Sequence, residues 1–334
     1  MKAVFLLEPD CKHIQPIFGN GRYEQYAELM ELPWLFVHPK NLEEHKDYLK
    51  DVTIAVSTWG IPYFSSEEIQ QYLPSLKLLL YVAGTVQHFA RPFLENGVRI
   101  CTAGEIMNTP VAEFTLAAIL HANKGVLRSY AMYREEGWHA ANSHFIYGYP
   151  GTYYTKVGIL GAGRIGSLVI KMLKNHLVNI LVFDPFLSDE RAKELGVQKA
   201  GLEEIFSTCQ TISCHLADNP QTRGLLDYRL FSMMKDNATF VNTGRGAQVV
   251  EADLLRALHD EPNRSAVLDV TDPEPADGSV ILHQPNIFVS PHLAGTACEE
   301  NYHLTDGVLE IFKEFLKTGT LRAEVTESML ATMA

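Results

Sequence analysis

Long apolar runs are missing from this chain. The nearest to one, VAEFTLAAIL at 111–120, is broken by Glu113 and is far shorter than the roughly 20 residues a membrane-spanning helix needs. The opening MKAVFLLEPD reaches Glu8 and Asp10 too soon for a signal-peptide core. Cysteine is scarce and unpatterned: Cys11, Cys101, Cys209, Cys214 and Cys298 are odd in number and form no CxxC. That favours free thiols in a reducing compartment over a disulfide framework or a zinc site. Positive charge is short too. Against 40 Asp and Glu stand 28 Lys and Arg, a formal net charge of −12, which argues against nucleic acid or an anionic membrane as partner. An anionic small substrate stays open, because the local field of a cleft can oppose the net charge. Internal repeats and low-complexity tracts are absent. The expectation is a cytoplasmic protein without a metal site.

What is present is ordinary globular material, 46% hydrophobic and 20% charged, over 334 residues. At that length two domains are the default. Strand-like runs alternate with helical periods, the pattern of an α/β protein with parallel sheets. Early strand candidates are 3–7, 54–57, 78–82 and 99–101. PVAEFTLAAILHANK, 110–124, reads as a mostly buried helix starting at Pro110, with Asn108 and Thr109 as cap candidates. The segment 134–155 is polar and aromatic with no period of either kind. It reads as a surface excursion or as an arm that packs on something else. From Lys156 the alternation is regular, with strands at 156–160, 179–183, 210–214, 238–242, 265–269 and 286–290. That describes a nearly complete doubly wound dinucleotide domain. A helical stretch follows from Ala297 to about Lys317, stopped by Gly319.

VGILGAGRIGSLVIKML, 157–173, sets Gly161, Gly163 and Gly166 in G-x-G-x-x-G between an apolar strand and an apolar-periodic helix. In that context the first glycine permits a tight turn. The second lets backbone approach a pyrophosphate, and the third lets helix and sheet close together. The helix N-terminus then offers N–H groups and the positive end of its dipole to the phosphates. Asp184 ends the next strand, 18 residues past Gly166. A carboxylate there bonds the adenine ribose hydroxyls and repels a 2′-phosphate. The next arginine is Arg191, so NAD is preferred over NADP. The alternative is a glycine-rich turn with a capping aspartate.

Three later strands end in functional groups. TFVNTGRG delivers Arg245, AVLDVTDPEP delivers Asp269 and Glu274, and FVSPHLAG delivers His292. Parallel strands bring all of these to one edge of the sheet. A guanidinium there can hold a carboxylate and an adjacent carbonyl oxygen. A histidine can pass that oxygen a proton, and a glutamate beside it favours and orients the imidazolium. With a hydride carrier this is a 2-keto acid/2-hydroxy acid redox site. Each residue also has a structural alternative: Glu274 as an exposed loop acid, Arg245 as a helix-end cap, Asp269 as the N-cap of a short turn.

Taken together, the glycine loop with Arg164 and Ile165, TRGLLDYRLFSMMK, VNTGRG, the Asp269-to-Glu274 spacing and SPHLAG resemble the D-isomer-specific 2-hydroxyacid dehydrogenase family, continuously from about Gly151 to Lys317. That resemblance implies an NAD-dependent enzyme interconverting a 2-keto acid and a D-2-hydroxy acid. In it His292 is the acid/base, Glu274 its partner and Arg245 the substrate-binding cation. Asp269 would hold the nicotinamide carboxamide and Asp184 the adenosine ribose. Arg164 and Ile165 would meet the pyrophosphate with backbone amides, while His215 and Thr243 would line the adenine and nicotinamide sides. YVAGTVQHF, 81–89, matches the substrate loop, with the amides of Gly84, Thr85 and Val86 for the substrate carboxylate. The resemblance also implies a flavodoxin-like substrate domain from 1–107 and 297–334, a Rossmann NAD-binding domain at 108–296, and a homodimer made with the 134–155 arm. The chain departs from the family at Val86, where a second glycine is usual, in lacking an Asp-Asn pair after it, and at Ala217, where a proline is usual. Glu274 argues against formate dehydrogenases, which carry Gln there. Tyr81, Trp59, His88 and Arg91 are candidates to face the substrate's side chain. Two other functions stay in view: an NAD-sensing corepressor-like binding protein with little turnover, and a dehydrogenase acting on a non-acid, which would leave Arg245 nothing to hold.

Overall fold

A computed structural model of the chain describes residues 1–331. The last three residues of the expected 297–334 segment lie outside the described residues. The chain forms two compact units, residues 1–107 with the stretch from Thr296 onward, and Asn108–Gly295. The strands, numbered along the chain, are β1 (Ala3–Leu6), β2 (Phe36–Val37), β3 (Ile54–Ser57), β4 (Leu78–Tyr81), β5 (Arg99–Thr102), β6 (Thr155–Leu160), β7 (Val178–Phe183), β8 (Gln198–Lys199), β9 (Thr211–Cys214), β10 (Thr239–Asn242), β11 (Ser265–Leu268), β12 (Ile287–Val289) and β13 (Glu324–Val325). Both units are α/β, as the alternating pattern predicts.

The first unit holds a sheet of order β13-β5-β4-β3-β1-β2, parallel except where β13 pairs antiparallel with β5. Every residue of β1, β3 and β4 is buried, which is why these strands read as unbroken apolar runs: helices cover both faces. Helix Cys298–Thr318 returns to this unit. Its Leu304, Val308 and Phe312 join Phe5, Phe18 and Leu80 in one core cluster, and the Thr305 hydroxyl donates to the Ile17 carbonyl at 2.7 Å. Gly319 ends the helix at φ +74, a left-handed C-cap that glycine adopts without strain.

The second unit holds a sheet of order β12-β11-β10-β9-β6-β7-β8, parallel throughout. This is the doubly wound order, with its reversal between β6 and β9. Parallel pairing sends every strand's carboxyl end to one edge, so the turns after β6, β7, β9, β10, β11 and β12 share it.

Two sequence expectations are corrected. The helix expected from Pro110 spans Gly104–Asn123 with Pro110 inside it. Its first turn is held by tertiary packing: Ile106 and Met107 pack on the first unit's core, and Ile106 lies so close to helix Cys298–Thr318 that a Cβ at Gly307 would overlap it. That packing outweighs the hydrogen bond Pro110 cannot make. The segment 134–155 is not irregular. Helices Val126–Glu136 and Trp138–Gly148 meet at Gly137, whose φ is +88. Their period was illegible because apolar and polar residues are not segregated to opposite faces: Tyr130, Tyr133, Trp138, Ile146 and Tyr147 are all exposed. Among the described residues no helix is long and apolar enough to cross a membrane.

Candidate active site

The turn after β6 is built by steric necessity. Gly161 has φ +93, and a Cβ on it would stand 2.6 Å from the His215 carbonyl oxygen. A Cβ on Gly166 would stand 2.0 Å from the Gly161 carbonyl oxygen, so helix Arg164–Leu173 starts directly on the turn. Gly163 differs: a Cβ there meets nothing within 4 Å. No side chain caps the helix at Gly163. The three glycines thus leave an uncapped helix N-terminus facing open space, the arrangement that receives a pyrophosphate. Arg164 is exposed and Ile165 partly buried at this end.

Asp184, at the end of β7, organises the same turn. One carboxylate oxygen accepts the Ala162 amide at 2.8 Å, the other the Phe186 amide at 2.8 Å. Each oxygen keeps a second acceptor site for a hydroxyl. His215 follows β9. Its Nε2 pairs with the Ser213 hydroxyl at 3.0 Å, its Nδ1 is buried with no partner, and burial pushes its pKa down to about 4. It is a neutral ring at physiological pH.

After β10 the chain folds around Asn242, which is fully buried. Its side chain accepts the Gly244 amide at 3.0 Å and donates to the Arg245 carbonyl at 2.8 Å. Thr243 turns its hydroxyl inward to Thr115, 2.8 Å away. The Thr115 hydroxyl donates to the Val111 carbonyl, so the Thr243 proton is directed to Thr115 and its own lone pairs remain as acceptors. Arg245 is half-buried. Burial lowers its pKa, opposed by the nearby carboxylates of Asp218 and Glu274, and it stays a cation. Next to it, a Cβ on Gly246 would overlap the Thr271 backbone at 2.1 Å, so the turns after β10 and β11 are packed hard together.

Asp269 ends β11, and its side chain is 1% exposed. The sequence reading puts it on the nicotinamide carboxamide. Its carboxylate also holds its own chain: one oxygen accepts the Ser290 hydroxyl at 2.6 Å and the Leu293 amide at 2.9 Å, the other only the Ala294 amide at 3.0 Å, which leaves that second oxygen a further acceptor site. The physical reason is register. β11 and β12 pair Leu268 with Val289, which brings Asp269 level with Ser290, inside the turn that carries His292. Beyond that turn, His292 Nδ1 meets Glu274 Oε1 at 2.9 Å, with the two side chains 47% and 39% exposed. An ion pair this exposed adds at most about 1 kcal/mol to stability, so the fold does not depend on it. With Nδ1 on the carboxylate, Nε2 is the ring nitrogen that does not face Glu274.

Sequence reasoning named Arg245, Asp269, Glu274 and His292 but missed their supports, Asn242, Gly246 and Ser290. The signals were an Asn two residues before a Gly, a second glycine after Arg245, and a serine where the last strand stops. In the first unit, the loop after β4 is fixed from below: the Thr102 hydroxyl lies 2.6 Å from the Ala83 carbonyl and 2.9 Å from that of Gly84. Val86 is fully buried in the core, and its φ is not among the positive ones. No left-handed backbone requires glycine there, which accounts for the departure from the family's pattern. Tyr81 is 1% exposed, which removes it as a substrate-facing candidate. Among the described residues no group of three or more His, Cys, Asp or Glu is placed to hold a metal.

Residues 116–294 match the family model described as D-isomer specific 2-hydroxyacid dehydrogenase, NAD binding domain. The chain is 26% identical over 294 residues to a D-3-phosphoglycerate dehydrogenase of Bacillus subtilis, covering 86% of this chain and 54% of that protein. It is 31% identical over 206 residues to a D-3-phosphoglycerate dehydrogenase of Mycobacterium tuberculosis, covering 61% of this chain and 38% of that one. The chain thus spans about half the length of these curated relatives, or less. Among solved structures, D-mandelate dehydrogenase of Rhodotorula graminis superposes with a TM-score of 0.80 at 18% identity, over 98% of each chain, a likeness of fold.

Proposed function

Because the chain belongs to the D-isomer-specific 2-hydroxyacid dehydrogenase family, we propose that it reduces a 2-keto acid to a D-2-hydroxy acid with NADH, and oxidises the product in reverse. The observation that carries this reading is the His292–Glu274 pair at 2.9 Å, on the same sheet edge as Arg245 and the glycine turn.

The residues present fit the dinucleotide. Gly163 leaves the room a phosphate needs, Arg164 and Ile165 lie at an uncapped helix end, and Asp184 has acceptor sites for ribose hydroxyls while disfavouring a 2′-phosphate. His215 as a neutral ring suits the adenine side, and the acceptor lone pairs of Thr243 suit an amide on the nicotinamide side. Bound there, the cofactor supplies the hydride that reduces the keto carbon.

The chain's own residues do the rest. Arg245 holds the substrate's carboxylate and keto oxygen with its fork of donors, which polarises the carbonyl. The amides of Gly84, Thr85 and Val86 are the further proposed contact for the carboxylate. His292 gives a proton from Nε2 to the keto oxygen as negative charge develops on it. Glu274, hydrogen-bonded to Nδ1, keeps the ring oriented. Asp269 positions His292 through the turn. We read the protein as cytoplasmic, on its unpaired cysteines, and as a homodimer, on the aromatic side chains that helices Val126–Glu136 and Trp138–Gly148 expose.

The test is NADH oxidation with glyoxylate, pyruvate, hydroxypyruvate, phenylpyruvate, 2-ketoisocaproate and 3-phosphohydroxypyruvate, repeated with NADPH. Turnover of at least one substrate, faster with NADH, is expected. NADH binding without any turnover would overturn the reading and favour an NAD-sensing binding protein.

A further inference from the structure

Within the second unit, the first residues of β10 and β11 pair as Thr239 with Ser265. They mark the amino edge of the sheet, opposite the edge that carries the glycine turn and His292. A cavity of about 10 Å³ lies at this amino edge, room for a single occupant of about the size of a water. Leu127, Val267 and Phe288 give it apolar walls, and Arg128, Tyr149 and Ser265 line it with polar groups.

Those three polar groups are unpaired. Ser265 is 3% exposed. Its hydroxyl, the Tyr149 hydroxyl and Arg128 Nε are all buried, and none has a hydrogen-bond partner among the described residues. Tyr149 is fixed in place: its ring lies over Gly125, where a Cβ would overlap it, and the His144 ring meets it edge-on at 5.6 Å. Burial pushes the Tyr149 pKa up to about 12. Burial, and then the charge of Arg128, lower that of His144. Both rings are therefore neutral, while Arg128 remains a cation. Arg128 forms no ion pair among the described residues. The carboxylates whose charge reaches this corner, Asp236 and Glu136, stand on exposed residues. Both oxygens of Asp236 already accept from Asn237, at 3.1 and 3.3 Å.

Buried donors without acceptors are costly, and more so on a cation. A water has two lone pairs, so it could accept from only two of the three donors and would leave the guanidinium charge uncompensated. A small anion accepts from all three and offsets that charge. We propose that this cavity binds one monatomic anion of chloride size, held by Arg128 Nε and the hydroxyls of Tyr149 and Ser265. The anion fastens the start of helix Val126–Glu136, through Arg128, and the end of the arm, through Tyr149, to β11. An ion that binds only the folded chain stabilises it by mass action.

The experiment follows thermal unfolding of the wild type and of Arg128→Met against chloride, with gluconate, too large for the cavity, holding the ionic strength constant. Between about 1 and about 100 mM chloride, the wild-type melting temperature should rise by at least about 2 °C, and that of Arg128→Met should stay level. Should Arg128→Met fail to fold, Tyr149→Phe and Ser265→Ala each remove one donor, and each should raise the midpoint of the chloride titration threefold or more. Wild-type crystals soaked in bromide should show an anomalous peak within hydrogen-bond reach of Arg128 Nε. A wild-type melting temperature that ignores chloride overturns the proposal, as does the same chloride response in the variants, or a water in the cavity where bromide is expected.

Discussion

The His292 amide donates to the Asp269 carbonyl at 3.0 Å, although His292 sits at φ +51, in left-handed backbone that is uncommon for any residue but glycine. Such a conformation costs of order 1 kcal/mol and persists only where its surroundings enforce it. Asp269 is that enforcement, since its carbonyl and both carboxylate oxygens accept hydrogen bonds from residues 290–294. We therefore expect Asp269→Ala to lower stability by about 2–4 kcal/mol, because it strands the buried Ala294 amide, the Leu293 amide and the Ser290 hydroxyl. It should also lower kcat at least tenfold. Urea unfolding and steady-state kinetics check both. A full loss of stability with unchanged kcat in the remaining folded enzyme would show that the turn does not position His292.

His292→Ala should reduce kcat by about a hundredfold or more, the size expected for a lost general acid, while NADH still binds by fluorescence titration. Equal loss of cofactor affinity would make His292 structural. Glu274→Gln is the sharper variant. The pair is exposed, so the unfolding free energy from urea titration should change by less than about 1 kcal/mol, and kcat should fall at least tenfold. A stability loss without a kinetic one would reverse the assignment.

At Asp184, the cofactor preference is the readout. Asp184→Ala removes the carboxylate that disfavours a 2′-phosphate, so the ratio of kcat/KM for NADH over NADPH should drop tenfold or more. The variant also loses the acceptors for the Ala162 and Phe186 amides, so both cofactors should bind more weakly in absolute terms. An unchanged ratio would remove Asp184 from the ribose site.

His215 predicts a pH dependence. The fold holds its pKa near 4 against 6.5 in the open chain. Between those values the unfolded state binds more protons, so stability is full above about pH 6.5 and falls as the pH drops toward 4. At about 1.4 kcal/mol per pKa unit, the loss reaches about 3 kcal/mol. His215→Gln should flatten this part of the pH–stability curve. The same acid slope in wild type and variant would show that His215 is not held neutral by burial.

The chain itself announced its strands, because a strand buried on both faces must be apolar throughout and a turn must follow it. LLLY at 78–81 and AVFL at 3–6 are such runs. Gly161, Gly166 and Asp184 were legible for the same reason: they answer to steric and charge demands within one strand–turn–helix unit. The helices at 126–148 were not, since Trp138, Ile146 and Tyr147 face outward and leave no apolar stripe to read.

By itself, then, the sequence determined which residue types stand at each strand end, because those positions follow from local periodicity and local sterics. The tertiary structure decided what their atoms do. Glu274 and His292 are 18 residues apart, and only the parallel register of β11 and β12 brings an oxygen of one to a nitrogen of the other. The same register brings Asp269 level with Ser290, so that its carboxylate holds the turn that carries His292. Which face a strand-end side chain presents is set by what its neighbouring strand places beside it, and no local pattern carries that information.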